Sequence, residues 1–201
     1  NDSENKNDFA AIDWKSYENL MTTDDQEDFE EYLPALTNKE KIIFFFMEKE
    51  EYSFDGFLTA IEVDENPNIG RIVLCDLDNQ NGKELIVNIY EAGGLYLILT
   101  RDEDAIYGTF MSGKEFDNLQ KDGKFIGSGG AADWYFHRLK IDSSGVEEIT
   151  FGEFHGDRKD DGTYEHCFEV DGEKFEQDPQ EWLAENYNDP VEWIGEEDDY
   201  Y

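Results

Sequence analysis

Bases, cysteines, prolines and long apolar runs are all scarce in this 201-residue chain, and each shortage removes a class of explanation. Sixteen Lys+Arg stand against 51 Asp+Glu, a formal net charge of -35, or about one uncompensated negative charge for every six residues. A field of that sign repels nucleic-acid phosphates and anionic lipid head groups, which excludes DNA, RNA and bare membrane surface as partners. Two cysteines, Cys75 and Cys167, are too few for a disulfide scaffold. A single bridge and two separate thiols both stay open, although the apolar run around Cys75 favours a buried thiol. No apolar stretch approaches the roughly 18 residues of a membrane-spanning helix. The longest covers 42–47.

What is abundant decides between order and disorder. So acidic a composition raises the question of an unfolded chain, because self-repulsion opposes collapse. Fifteen Phe, eleven Tyr and four Trp answer it, since a solvating tail has no use for them, and only four Pro interrupt the chain. The expectation is a folded, aromatic-rich domain with an acidic surface, long enough to bury a sizeable core.

The first fifty residues read as helical. Trp14, Tyr17, Leu20 and Met21 recur at helical spacing, as do Phe29, Tyr32, Leu33 and Leu36. Thr23 followed by Asp24, Asp25 and Glu27 has the form of a helix start, so the acids over 24–31 are a helix face and not a ligand cluster. Pro34 predicts a break. The run at 42–46 fits a strand or a further helix. From 57 onward, short β-favouring runs at 57–63, 71–77, 85–90, 95–100, 105–111, 134–141, 146–154 and 164–170 alternate with Gly-, Asn- and Asp-bearing turns, the texture of antiparallel hairpins. A short helical turn is expected over 115–119. Asp178 then Pro179 opens a closing helix over 178–186. The predicted organisation is a disordered linker over 1–8 left by a removed leader, a single α+β domain over 9–186, and an acidic tail over 187–201. Within the domain come a helical preface over 9–50, β-hairpins over 57–170 and the closing helix. Trp193 and Ile194 leave the tail either docked or disordered. The sheet is expected to be one antiparallel, strongly twisted layer or partial barrel, with the N-terminal helical segment packed on it.

The strongest local chemical signal is Asp76-Leu77-Asp78-Asn79-Gln80-Asn81-Gly82-Lys83-Glu84. Acids at alternating positions of a tight loop, with another beyond its turn, can aim several hard oxygens at one point, which is what calcium requires. Asp76, Asp78 and Glu84 are therefore the candidate calcium ligands. Gln80 at the fifth position, Asn81 at the sixth and Val87 at the twelfth depart from the helix–loop–helix calcium pattern, and Lys83 adds a charge beside the site. The competing reading is a turn whose acids satisfy backbone amides. The stretch 127–132, Gly-Ser-Gly-Gly-Ala-Ala, lacks the Lys-Ser/Thr of a phosphate loop and reads as a close backbone approach or a bulge. His155, His166 and Cys167 make a poor zinc set, because adjacent strand residues point to opposite faces, and His137 is the only other histidine. No Gly-x-Ser-x-Gly elbow marks a serine nucleophile. The aromatics Trp134, Tyr135, Phe136, Tyr90, Tyr96 and Tyr107 read as core and cross-strand pairs, or as an exposed platform for a glycan or peptide.

Four stretches taken in order carry a resemblance: 73–87 with its Asp-x-Asp loop; Gly93-Gly94-Leu95 onward with Ile106-Tyr107-Gly108; Gly127-Ser128-Gly129-Gly130-Ala131-Ala132 before an aromatic strand; and Val170-Asp171-Gly172-Glu173-Lys174 before an acidic helix holding Trp182. Together they resemble a family of secreted proteins and lipoproteins of Gram-positive gut bacteria, over about 57–186. The resemblance implies an exported, lipid-anchored, β-rich α+β protein and no particular activity. The functional expectation is a non-enzymatic binding or interaction protein tethered at the cell envelope, with an extracellular protein or glycan as ligand. The alternatives are a glycan-directed hydrolase using a carboxylate pair and a calcium-stabilised structural module. Beyond calcium, no cofactor is expected.

Overall fold

In the computed structural model, residues 12–45, 49–63, 68–80, 82–89, 94–130, 133–159 and 164–195 are described. The expected linker over 1–8, Tyr90, and the last six residues of the tail lie outside them.

A side-chain cap places the second helix. Helix α1 (Trp14–Glu18) is followed by α2 (Thr23–Glu30), whose cap is Thr22 and not the expected Thr23: its hydroxyl accepts from the Asp25 N–H, and Asp24 and Asp25 occupy the positive end of the dipole. Helix α3 (Leu33–Leu36) is a single turn with Pro34 in its first positions, the expected break. The helical preface ends there and does not run to 50. Strands β1 (Ile42–Phe45) and β2 (Lys49–Tyr52) pair antiparallel, and β1 alternates between the fully buried Ile42 and Phe44 and their half-buried neighbours. The opposite correction applies to 57–63, expected as a strand. It belongs largely to α4 (Phe54–Ala60), where the Ser53 hydroxyl accepts from the Gly56 N–H and Phe54, Phe57 and Leu58 share one buried face at helical spacing.

Strands β3 (Ile69–Cys75), β4 (Glu84–Ile89), β5 (Leu95–Asp102) and β6 (Ala105–Ser112) form an antiparallel meander. The expected helical turn at 115–119 is absent; Asp117 instead bridges to Ile126. Strands β7 (Phe125–Gly130), β8 (Asp133–Asp142), β9 (Gly145–Arg158), β10 (Tyr164–Val170) and β11 (Glu173–Lys174) follow, then α5 (Pro179–Asn186), capped by Asp178 with Pro179 at its first position as expected. The last described strand, β12 (Ile194–Gly195), returns to β3.

The strands make two open sheets, with no barrel among the described residues, in place of the single twisted layer or partial barrel expected. One has the order β12-β3-β4-β5-β6-β1-β2, antiparallel except where β1 joins β6 in parallel; the other has the order β11-β10-β9-β8-β7. The larger sheet does not close because its outer strand β2 presents exposed Lys49, Glu50 and Glu51, charges that resist a further strand. Strand β4 is buried at every position because both of its faces are covered. Leu85, Val87 and Leu97 pack with Trp14, Phe29 and Phe57 on one face, and Val73, Cys75, Ile86 and Ile98 pack with Phe125, Leu139 and Ile141 of the second sheet on the other. A third cluster, Phe136, Phe168, Val170, Trp182 and Tyr187, lies between the second sheet and α5. Val191 and Trp193 pack on the inter-sheet core, so the tail is docked through its described residues.

Candidate metal centre

The loop joining β3 to β4 leaves the sheet at Asp76 and returns at Glu84. Leu77 is fully buried and anchors it, and Asn79 takes the left-handed conformation (φ 59°) that turns the chain. Asp76 Oδ1 accepts from the Asn79 N–H at 2.6 Å, and Asp78 Oδ1 accepts from the Gln80 N–H at 2.8 Å. Gly123 closes the other side. A side chain there would come within 2.6 Å of the Leu77 carbonyl oxygen, and its φ of +79° suits glycine.

This geometry brings the three expected ligands together. One oxygen each from Asp76, Asp78 and Glu84 lie within 4.8 Å of one another. Glu84 is only 2 % exposed; its carboxylate accepts from the Leu77 N–H at 2.8 Å and from the Thr100 hydroxyl at 3.1 Å. Burial, followed by the charge of Asp78, nevertheless pushes its pKa up to about 7. Asp78 is raised as well, first by burial and then by Asp76 and Asp142, against the Gln80 N–H and Lys140. Its Oδ2 is buried and makes no hydrogen bond. The trio thus holds three acids with no base bound among them. Lys83, expected beside the site, is turned away: its ammonium reaches Asp25 at 2.7 Å and Asp28 at 3.0 Å on α2.

A hard, oxygen-seeking cation fits this set. It would neutralise carboxylates that burial first, and neighbouring acids after it, hold above their ordinary pKa values, and it would use the Asp78 oxygen that no donor reaches. A cleft of about 370 Å³ lies beside the loop, with Asp76, Cys75, Lys83 and Lys121 in its walls. Its lysines are already compensated, Lys83 as above and Lys121 by Asp189 at 3.1 Å. Glu84 is not in the lining.

The other signals resolve structurally. Cys75 and Cys167 are both free; Cys75 is buried, its thiol pushed up to about 12 by burial and then by Glu84. His166 and Cys167 do point to opposite faces of β10. Cys167 stands opposite His155, while His166 stacks on Phe154, with ring centroids 5.4 Å apart and planes 12° apart. The stretch 127–132 begins as strand β7, and its register shifts between Ser128 and Gly130, a bulge. A side chain at Gly127 would strike His137 Nε2 at 2.8 Å, so close approach explains that glycine; Ala131 and Ala132 lie outside the described residues. Phe136, Tyr96 and Tyr107 are buried, whereas Trp134 and Tyr135 are half-buried. Phe154, which no sequence signal marks, and His166, weighed in the sequence only as a zinc ligand, extend Trp134 into a row; only the register of β8, β9 and β10 aligns them.

Among known proteins, no family model, curated protein or solved structure matches this chain. No helix among the described residues is long and apolar enough to cross a membrane.

Proposed function

We propose that the protein is an exported, non-enzymatic binding module, tethered at a Gram-positive cell envelope and stabilised by calcium held at Asp76, Asp78 and Glu84. The observation that carries the calcium reading is the convergence of one oxygen each from three carboxylates within 4.8 Å, one of them from Asp78, which also holds a buried oxygen that no donor reaches. Calcium is the cation of choice because the donors are all carboxylate oxygens, and extracellular modules bind it at roughly 10⁻⁴–10⁻³ M. The site lies where the β3–β4 loop meets β8, whose Lys140 and Asp142 act on Asp78. Bound calcium would therefore fix the β3–β4 loop where it faces β8.

Binding ranks above hydrolysis for a geometric reason. A catalytic acid must touch its substrate, and neither of the acids with a raised pKa, Glu84 and Asp78, lines the cleft. In the same reading the fold is α+β, the helical layer packed on the larger sheet. That finer description is supported by the core Phe57 shares with Leu85 and Leu97. Phe57→Ala should then cost about 3–5 kcal/mol, and a change below 1 kcal/mol in urea unfolding would argue that the layer is not packed.

Thermal melts in EGTA and in rising CaCl2 test the metal. Saturation at 100 times Kd contributes about 2.7 kcal/mol, or roughly 5–10 °C for a chain of this size. Asp78→Asn should abolish the rise. An unchanged Tm in CaCl2 raised to about 100 mM, roughly 100 times the weakest constant of extracellular modules, or a rise that Asp78→Asn leaves intact, would remove the proposal.

A further inference from the structure

Strand alternation divides the five-stranded sheet by charge as well as by burial. Register aligns Ser128, Trp134, Phe154 and Phe168 across β7, β8, β9 and β10, and aligns Gly156 with His166 one step along. Directly paired residues face the same side of a sheet, so these form one face. The acids that alternate with them in sequence, Asp133, Glu153, Glu165 and Glu169, face the other. In a chain with 51 acids, this face carries none at those positions.

Helix α5 roofs only part of it. Trp182 lies 4.9 Å from Phe136 and 5.5 Å from Phe168, ring centroid to ring centroid, and seals that end. Trp134, Phe154 and His166 continue beyond the roof as a row, each ring 5.4 Å from the next. Trp134 and Phe154 are half-buried and His166 is exposed. Gly156 and Ser128 flank the row with little or no side chain to shade the rings.

We propose that this acid-free aromatic row is a binding platform for an uncharged polysaccharide. The inference rests on the binding-module reading above. Charge selects the ligand class: a net charge of -35 bars polyanions, and a row with no carboxylate among its described residues offers no counterion to a Lys/Arg-rich peptide. Aromatic faces carry negative charge and attract weakly positive C–H groups, which line the faces of a sugar ring. The exposed His166 adds ring nitrogens for sugar hydroxyls. Three successive rings suit an extended chain better than a single sugar.

Native affinity electrophoresis tests this with the full chain in CaCl2, in gels holding soluble starch, konjac glucomannan or hydroxyethylcellulose, with polygalacturonate as the anionic control. Retardation is expected in at least one neutral gel and not in polygalacturonate. Trp134→Ala should weaken it about tenfold or more, and His166→Ala by a smaller factor. His166→Trp, which lengthens the aromatic row at an exposed position, should strengthen it without disturbing the core. Absence of retardation in all three neutral gels, or retardation indifferent to every one of these variants, overturns the platform. Retention on poly-lysine that is lost in Trp134→Ala overturns its ligand class. A failed platform with an intact calcium-dependent Tm leaves the metal reading standing, whereas sugar release from a bound polysaccharide would sink the non-enzymatic reading itself.

Discussion

At Glu84, burial outweighs the two hydrogen bonds that favour its charged form, and the consequence is a pH dependence of defined sign. Its carboxyl has a pKa of about 7 in the fold against an ordinary 4.5, so between those values the native state binds more protons than the unfolded chain. Stability from this group is fully present below 4.5 and is lost as pH rises through 7, roughly 3 kcal/mol in all. His137 works the other way: burial lowers its pKa below 6.5, so its contribution is lost on acidification. Comparing variants separates the two. In EGTA, the urea midpoint of the parent protein should show a loss between pH 5 and pH 8 that Glu84→Gln does not show, since the amide can still accept from the Leu77 N–H. An identical profile in the two proteins would place the titration elsewhere. Calcium should reverse the trend, because it binds the deprotonated form.

Single elements carry their own tests. Helix α4 depends on the Ser53 cap, and Ser53→Ala should cost about 1 kcal/mol, read as a fall in Tm. The parallel junction of β1 and β6 depends on Gly108, where a methyl group would meet Ile42 and Phe44 at 2.9 Å and Leu99 at 3.0 Å. Gly108→Ala should therefore destabilise by about 1–3 kcal/mol; a neutral result in urea unfolding would mean that the junction yields. These two places are also where sequence reading stopped short. The hairpins of β3 to β6 and β8 to β10 announce themselves through turn residues and alternation, as Asp178-Pro179 announces α5. Segment 57–63 holds enough β-favouring residues to pass for a strand, and the capping Ser53 lies outside that window. Strand β7 is hidden by its glycines, which weaken any strand pattern. The parallel pairing of Ile42 with Ile106 has no local signature at all. The metal candidates were readable because one loop supplies all three. The fate of Lys83 was not, because its partners Asp25 and Asp28 come from a distant helix.

For the whole molecule, charge is the dominant variable. Part of the -35 is compensated locally, as where Arg101 meets Glu40 at 2.9 Å, but 16 bases cannot balance 51 acids. Self-repulsion should then weaken the fold at low ionic strength. Raising NaCl from about 10 to 150 mM, which shortens the Debye length from about 30 to 8 Å, is expected to raise Tm in EGTA. A falling Tm would mean that attractive ion pairs dominate instead. The acid-free row on β8, β9 and β10 is one part of the surface this field leaves uncharged, and no periodicity in the sequence announces it. It arises only when three strands are set in register.

The placement of β1 and β12 bears on how the chain assembles. Ile194 pairs with Ile72 and Ile42 with Ile106, so the larger sheet gains neighbours on either side from residues far away along the chain. The meander of β3 to β6 can form early from near neighbours, but its flanks wait for long loops to close. During synthesis the sheet would stand with β3 uncovered until β12 has emerged. The acidity that burdens the finished fold would then keep that half-built edge from meeting its copies.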